Sequence, residues 1–314
     1  MRKKAIIVSI KGLKLTNKER LLFSKEKPWG LILFKRNIKT LNQIKSLIQS
    51  VKKATRDNKF PILIDEEGSN VSRLKKIIYH NISANFFGDL YKIDSKVSIK
   101  IYKSYLTKLC ETLKKIGINI NTIPVLDVLR THTNKVIGER SFSNNKTIVQ
   151  KLGKITVEHC NIYKIATVVK HIPGHGSAIS DSHYTTPRVN LDQGKLKNTD
   201  FHPFKYNPAQ FAMTAHILYT KIDKKNVATI SKKIIYKIIR KKIGFKGILI
   251  SDDISMKALK YDLVTNAIKS LEAGCNLVLY CAGNIDENIK LIKSVPFIDK
   301  FTLKKTSEFY KFLG

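Results

Sequence analysis

The stretch KHIPGHGSAISDSH, residues 170 to 183, gathers three of the chain's eight histidines around a Pro-Gly turn. Two chemistries are open to it. His171 and His175 lie four apart, a zinc-ligand spacing on a helix, but Pro173, Gly174 and Gly176 argue against a helix and leave only a loop-borne metal site. Asp181-Ser182-His183 instead reads as an acid/base dyad. In an extended segment residues i and i+2 project to the same side, so a carboxylate can orient an imidazole and favour its charged form. On spacing alone the triplet reads equally as polar residues of a surface loop. Further acids and bases follow apolar runs elsewhere: Asp65 in IDEEG, Asp127 in PVLDV, Lys170 and His171 in VVKHI, His216 in MTAHI, Asp252 and Asp253 in ISDD. Any one of these alone reads as a helix or turn cap. Together they suit one pocket, because ligands of parallel α/β folds bind at the carboxyl ends of the strands. No G-x-G-x-x-G, P-loop or G-x-S-x-G occurs, which removes support for dinucleotide, nucleoside triphosphate and serine-hydrolase chemistry.

The elements that would carry these residues are legible. Strand-like runs are AIIVSI, GLILF (30 to 34), PILID (61 to 65), ININTIPVLDV (118 to 128), ATVVKHI (166 to 172), AQFAMTAHI (209 to 217), GILISDD (247 to 253) and CNLVLYCA (275 to 282). Helical patterns separate many of them. LNQIKSLIQSVKKAT sets Leu41, Ile44, Leu47, Ile48 and Val51 on one stripe, and KIIYKIIRKKIG ends on Gly244 as a helix-terminating glycine would. Near-continuous apolar strands alternating with helices predict a parallel sheet buried on both faces. Eight strands over this length predict a single (β/α)8-type barrel spanning residues 1–314, with an open doubly wound sheet as the second choice.

Composition bounds the partners. The 314 residues include 49 lysines but only nine arginines, and the net charge is +34. Lysine spread along the whole chain beside abundant Ile and Asn is what an A/T-biased coding sequence gives, and no nucleic-acid-binding motif accompanies it, so no specific nucleic-acid partner is expected. Cys110, Cys160, Cys275 and Cys281 form no CxxC pair and fit free thiols in a reducing compartment. The start MRKKAIIVSIKG has an apolar run too short for a signal peptide, and nothing approaches a membrane span. A cytoplasmic monomer without a membrane partner is the expectation.

KHIPGHGSAISDSH followed by TTP, with IDEEGSNVSRL, PVLDV, IGERSFS, MTAHILY and GFKGILISDDISMKAL, resembles family 3 glycoside hydrolases, specifically the bacterial cytoplasmic β-N-acetylglucosaminidases of cell-wall recycling. The blocks run in the expected order from about residue 30 to residue 282. The resemblance implies a barrel, no cofactor or metal, and retaining cleavage of N-acetylglucosamine from 1,6-anhydro-N-acetylmuramic acid muropeptides. It further implies Asp252 as nucleophile, His183 as general acid/base with Asp181 as its partner, and Asp65, Arg73, Arg140, Lys170 and His171 as sugar-binding residues. The sequence departs from the pattern at EEGS, where relatives usually have QEGG, and at MTAH, where MPAH is common. Two other activities stay open: a phosphorylase using the same dyad, and a non-enzymatic binder of polyanions.

Overall fold

A computed structural model describes residues 3–180 and 185–314. Eight parallel strands close into a barrel in the order β1-β10-β9-β7-β5-β4-β3-β2: β1 (Lys4–Val8), β2 (Pro28–Leu33), β3 (Ile62–Ile64), β4 (Ile120–Asn121), β5 (Ala166–Ile172), β7 (Phe211–Thr214), β9 (Ile248–Asp253) and β10 (Leu277–Leu279). A separate two-stranded ribbon pairs β6 (Arg188–Val189) with β8 (Leu218–Tyr219). The barrel strands coincide with the eight apolar runs of the sequence, and the fold is a TIM-like barrel. Six of the eight are shorter than their runs. ININTIPVLDV contributes only Ile120–Asn121 and a single bridge from Val125 to Lys170, because Pro124 has no N–H to offer the ladder.

Alternation along each strand divides the apolar residues between two layers. Ala5 and Ile7 of β1 point into the barrel, where Trp29, Leu63, Val168, Phe211, Ile250 and Leu279 fill the lumen; Ile6 and Val8 point outward against the helices. Both layers being apolar explains why the strands read as continuous runs.

The helices are α1 (Asn17–Leu21), α2 (Leu41–Thr55), α3 (Ala84–Ile93), α4 (Ser95–Ile116), α5 (Lys146–Ile162), α6 (Gln193–Lys197), α7 (Leu263–Ala273), α8 (Ile285–Ser294) and α9 (Lys300–Leu313). The α2 stripe buries Ile44, Leu47, Ile48 and Val51, and Thr40 caps the helix by accepting from the Gln43 amide. The KIIYKIIRKKI segment forms a π-helix, Ile234–Ile243, that stops at Gly244 with φ 81°. Among the described residues no helix is long and apolar enough to cross a membrane.

The amino-terminal end of the barrel is closed by α9. Phe309 enters the lumen cluster, its ring centroid 6.3 Å from Trp29 and 5.4 Å from Phe211. The Trp29 indole N–H donates to Thr306 Oγ1 at 2.9 Å. That seal leaves the carboxyl ends of the strands as the open face.

Candidate active site

At that open face lies a cavity of about 420 Å³ whose wall includes Asp65, Arg73, Arg140, Lys170, His171 and Asp252. Six of the eight site residues read from the sequence therefore meet in one place. Asp65 directly follows β3, Lys170 and His171 end β5, and Asp252 ends β9. Arg73 comes from the loop after β3, and Arg140 from the 3-10 turn Gly138–Arg140 between β4 and α5. Asp181 and His183 lie outside the described residues.

Arg73, Arg140 and Lys170 are held by carboxylates of the same wall. Arg73 Nη2 lies 2.9 Å from Asp65 Oδ2, and Lys170 Nζ lies 3.3 Å from Asp65 Oδ1. The Thr122 hydroxyl donates to that same Asp65 oxygen and accepts from Lys170 Nζ at 2.9 Å. Glu67 takes Arg140 in a two-pronged pair, Nε at 2.7 Å and Nη2 at 2.9 Å, and takes Lys170 Nζ at 2.6 Å. Burial pushes both carboxyl pKa values up, but Lys170 and Arg73 outweigh it for Asp65, and Arg140 and Lys170 bring Glu67 down to about 2. The result is a fixed lattice of N–H donors and carboxylate acceptors, suited to hydroxyl and amide groups of a sugar.

His171 is oriented from behind. Its Nδ1 lies 2.7 Å from Asp127 Oδ2, while Asp127 Oδ1 accepts the His171 amide at 3.2 Å and the His175 amide at 2.6 Å. Asp127 is fully buried, and its carboxyl is held low against that burial by His171 and His175. An ionised Asp127 requires the proton on Nδ1, which fixes the ring's tautomer. His175 shares this acid: the two imidazole centroids are 5.8 Å apart, and burial lowers the His175 pKa.

Asp252 Oδ1 accepts the Asp253 amide at 2.8 Å. Burial raises the Asp252 carboxyl, yet His216, His171, the Asp253 amide and Lys170 together hold it below the ordinary value. It is therefore an anion at neutral pH, facing the cavity. Its neighbour Asp253 has the opposite fate. Burial raises the Asp253 carboxyl, and its oxygens accept from the Ser255 amide and hydroxyl and the Cys281 amide. His216 is pinned between Thr229 Oγ1 at 2.7 Å and the Asp253 carbonyl at 3.0 Å.

The described part of the 170–183 loop is tightly held. Gly174 has φ 135°, and a Cβ on Gly176 would stand 2.0 Å from the Val128 carbonyl oxygen. Ser177 donates to Asp200 from both its amide and its hydroxyl, at 2.8 and 2.7 Å. At the EEGS departure, Ser69 takes a left-handed φ of 40°, and its hydroxyl reaches Glu139 Oε1 at 2.5 Å beside Asn70 Nδ2, also at 2.5 Å. A non-glycine residue is thus accommodated where the pattern expects glycine.

Sequence reasoning did not select Glu67 or Thr122, and it took Asp127 and His216 as strand-end residues without roles. Glu67 had a signal: it stands two residues after Asp65 in IDEEG, on the loop leading to Arg73.

The sequence profile of the glycosyl hydrolase family 3 N-terminal domain matches residues 3–304. The chain is similar to a β-hexosaminidase of Actinobacillus succinogenes, 31% identical over 307 residues that cover 94% of this chain and 87% of that one. It is similar to a β-hexosaminidase of Haemophilus influenzae, 32% identical over 305 residues, with 93% and 85% covered. Among solved structures it resembles NagZ from Neisseria gonorrhoeae in complex with N-trifluoroacetyl-D-glucosamine, with TM-score 0.89, 27% identity, and 98% and 90% of the two chains covered.

Proposed function

The chain belongs to glycosyl hydrolase family 3, and from that premise we propose that it is a retaining exo-β-N-acetylglucosaminidase that removes N-acetylglucosamine from 1,6-anhydro-N-acetylmuramic acid muropeptides. The observation that carries the reading is the convergence on one cavity of an ionised acid, Asp252, with the donors Arg73, Arg140, Lys170 and His171 and the acceptor Asp65. A glycosidic bond breaks through an oxocarbenium-like transition state, which needs an anion at the anomeric carbon and a proton at the leaving oxygen. Asp252 supplies the anion: its oxygen bonds to the anomeric carbon as the bond to the aglycone oxygen breaks. His183, assisted by Asp181, gives its proton to that oxygen, then takes one from the water that releases the sugar. Lys170 and Arg140, tied together through Glu67, address the hydroxyls and the acetamido group. The printed names of the relatives, β-hexosaminidases and a NagZ bound to an N-acylated glucosamine, support the sugar assignment. Membership of a hydrolase family sets aside the reading as a non-enzymatic polyanion binder.

Product analysis tests this directly. Purified protein given N-acetylglucosaminyl-1,6-anhydro-N-acetylmuramic acid should release N-acetylglucosamine, first as the β anomer, with or without phosphate. Inverted product or no cleavage would overturn the proposal, and a sugar 1-phosphate formed only with phosphate would replace hydrolase by phosphorylase. His183→Ala should lose the natural substrate yet keep an activated aryl glycoside, with azide accelerating turnover; loss of both without rescue would remove His183 from the acid/base role.

A further inference from the structure

Behind the cavity wall sits a carboxylate that the reaction above does not use. Glu66 is fully buried, and none of its oxygens is idle. Oε2 accepts the Arg73 amide at 2.7 Å and the Leu74 amide at 2.8 Å, and Oε1 lies 2.7 Å from His80 Nε2. The far side of that imidazole, Nδ1, lies 3.2 Å from the Tyr105 hydroxyl on α4. The Glu66 main chain is clamped as well, its N–H donating to Asn121 Oδ1 and its carbonyl accepting from Asn121 Nδ2, each at 3.0 Å. The acid is thus anchored to β4 on one side, and its side chain grips the peptide units on either side of the Arg73 Cα. The Arg73 guanidinium then reaches Asp65 on the cavity wall.

We propose that Glu66 is a positioning residue, which with His80 sets where Arg73 meets the bound sugar. This rests on the reading of Arg73 as a sugar-binding residue. The proton placement is determined by the partners. A carboxylate can only accept, so the contact at Oε1 requires a proton on His80 Nε2. Burial pushes the Tyr105 hydroxyl pKa far up, so it keeps its proton, and it lies within hydrogen-bond reach of Nδ1. Glu66→Gln retains the shape but inverts this order. Two amides still need one acceptor, so the Gln carbonyl must face Arg73 and Leu74, and its NH2 must face His80. The ring can receive that donor only with no proton on Nε2, its Nδ1–H then donating to Tyr105.

The test combines kinetics with nitrogen NMR of the imidazole in the full-length protein. Using an aryl β-N-acetylglucosaminide, Glu66→Ala and His80→Phe should each raise KM about tenfold, the scale of one lost charge-assisted hydrogen bond, with kcat within about twofold. A merely structural role would do the reverse, lowering the active fraction and so the apparent kcat while leaving KM native. Glu66→Gln should return KM to within about twofold of native, and the His80 signal should show the loss of the proton from Nε2. Native KM in both Glu66→Ala and His80→Phe, or a protonated Nε2 in both the native and Glu66→Gln proteins, overturns the proposal. Should Glu66→Ala not fold, His80→Phe and the tautomer comparison decide. A native protein that does not cleave the glycoside refutes the sugar reading instead, and the tautomer measurement still tests the contact.

Discussion

Asp252 and Glu67 are both half-buried carboxylates beside cations, yet their surroundings differ. Asp252 has no ion-pair partner within contact distance among the described residues, only a hydrogen bond from the Asp253 amide and the field of His216, His171 and Lys170, so no cation among them holds its oxygens. If Asp252 is the nucleophile as proposed, Asp252→Ala should lower kcat on the order of 10⁴-fold for activated and natural glycosides alike, because no leaving group compensates for its loss. Steady-state assays with both substrate types check this. Glu67, by contrast, is committed to Arg140 and Lys170. Glu67→Gln takes from Arg140 its carboxylate partner and leaves Lys170 with Asp65 alone, a loss of about 3 kcal/mol in denaturant unfolding. The same residue sets a pH window. Its folded pKa of about 2 lies below the unfolded value, so its stabilisation is complete above about pH 4.5 and lost as pH falls toward 2. Melting temperature should drop through that interval in the native protein, and less steeply in Glu67→Gln.

At the scale of elements, helix propensity and packing disagree at Gly88 in α3. Alanine is the better helix former by about 1 kcal/mol, but a Cβ there would stand 1.6 Å from the Phe142 carbonyl oxygen, on the chain that follows the Arg140 turn. Gly88→Ala should therefore lower the melting temperature and, on the proposed sugar-binding role of Arg140, weaken substrate binding by displacing it. A raised melting temperature would mean that the helix yields without cost. Elements also explain what the sequence made legible. Asp65, Lys170, His171 and Asp252 could be found because each ends an apolar run, and a parallel barrel sends all such ends to one face. Arg73 and Arg140 sit on connections of no regular period and came only through resemblance. Glu67 and Thr122 escaped because their importance lies in partners distant along the chain: Lys170 Nζ contacts both across intervals of 103 and 48 residues, which no local pattern encodes.

The molecule as a whole carries a charge of +34, whereas Arg73, Arg140 and Lys170 in the cavity are each compensated by Asp65 or Glu67. Long-range attraction and local recognition are thus separable. A muropeptide with free carboxylates should show kcat/KM falling as ionic strength rises past about 0.1 M, where the Debye length is about 10 Å, while a neutral aryl glycoside should not respond. Equal salt dependence for the two would place the electrostatic effect in the cavity itself.

Trp29 is the chain's one tryptophan, and it lies at the end of the barrel sealed by Phe309 and Thr306, away from the cavity at the strands' carboxyl ends. The protein therefore has a single indole emitter, optically tied to the docking of α9. Its emission should be blue, shift red in one step when α9 undocks, and stay unchanged on titration with N-acetylglucosamine. Thr306→Val, which deletes the indole's acceptor, should alter that spectrum while leaving kcat intact, so fluorescence and turnover report on opposite ends of the same barrel.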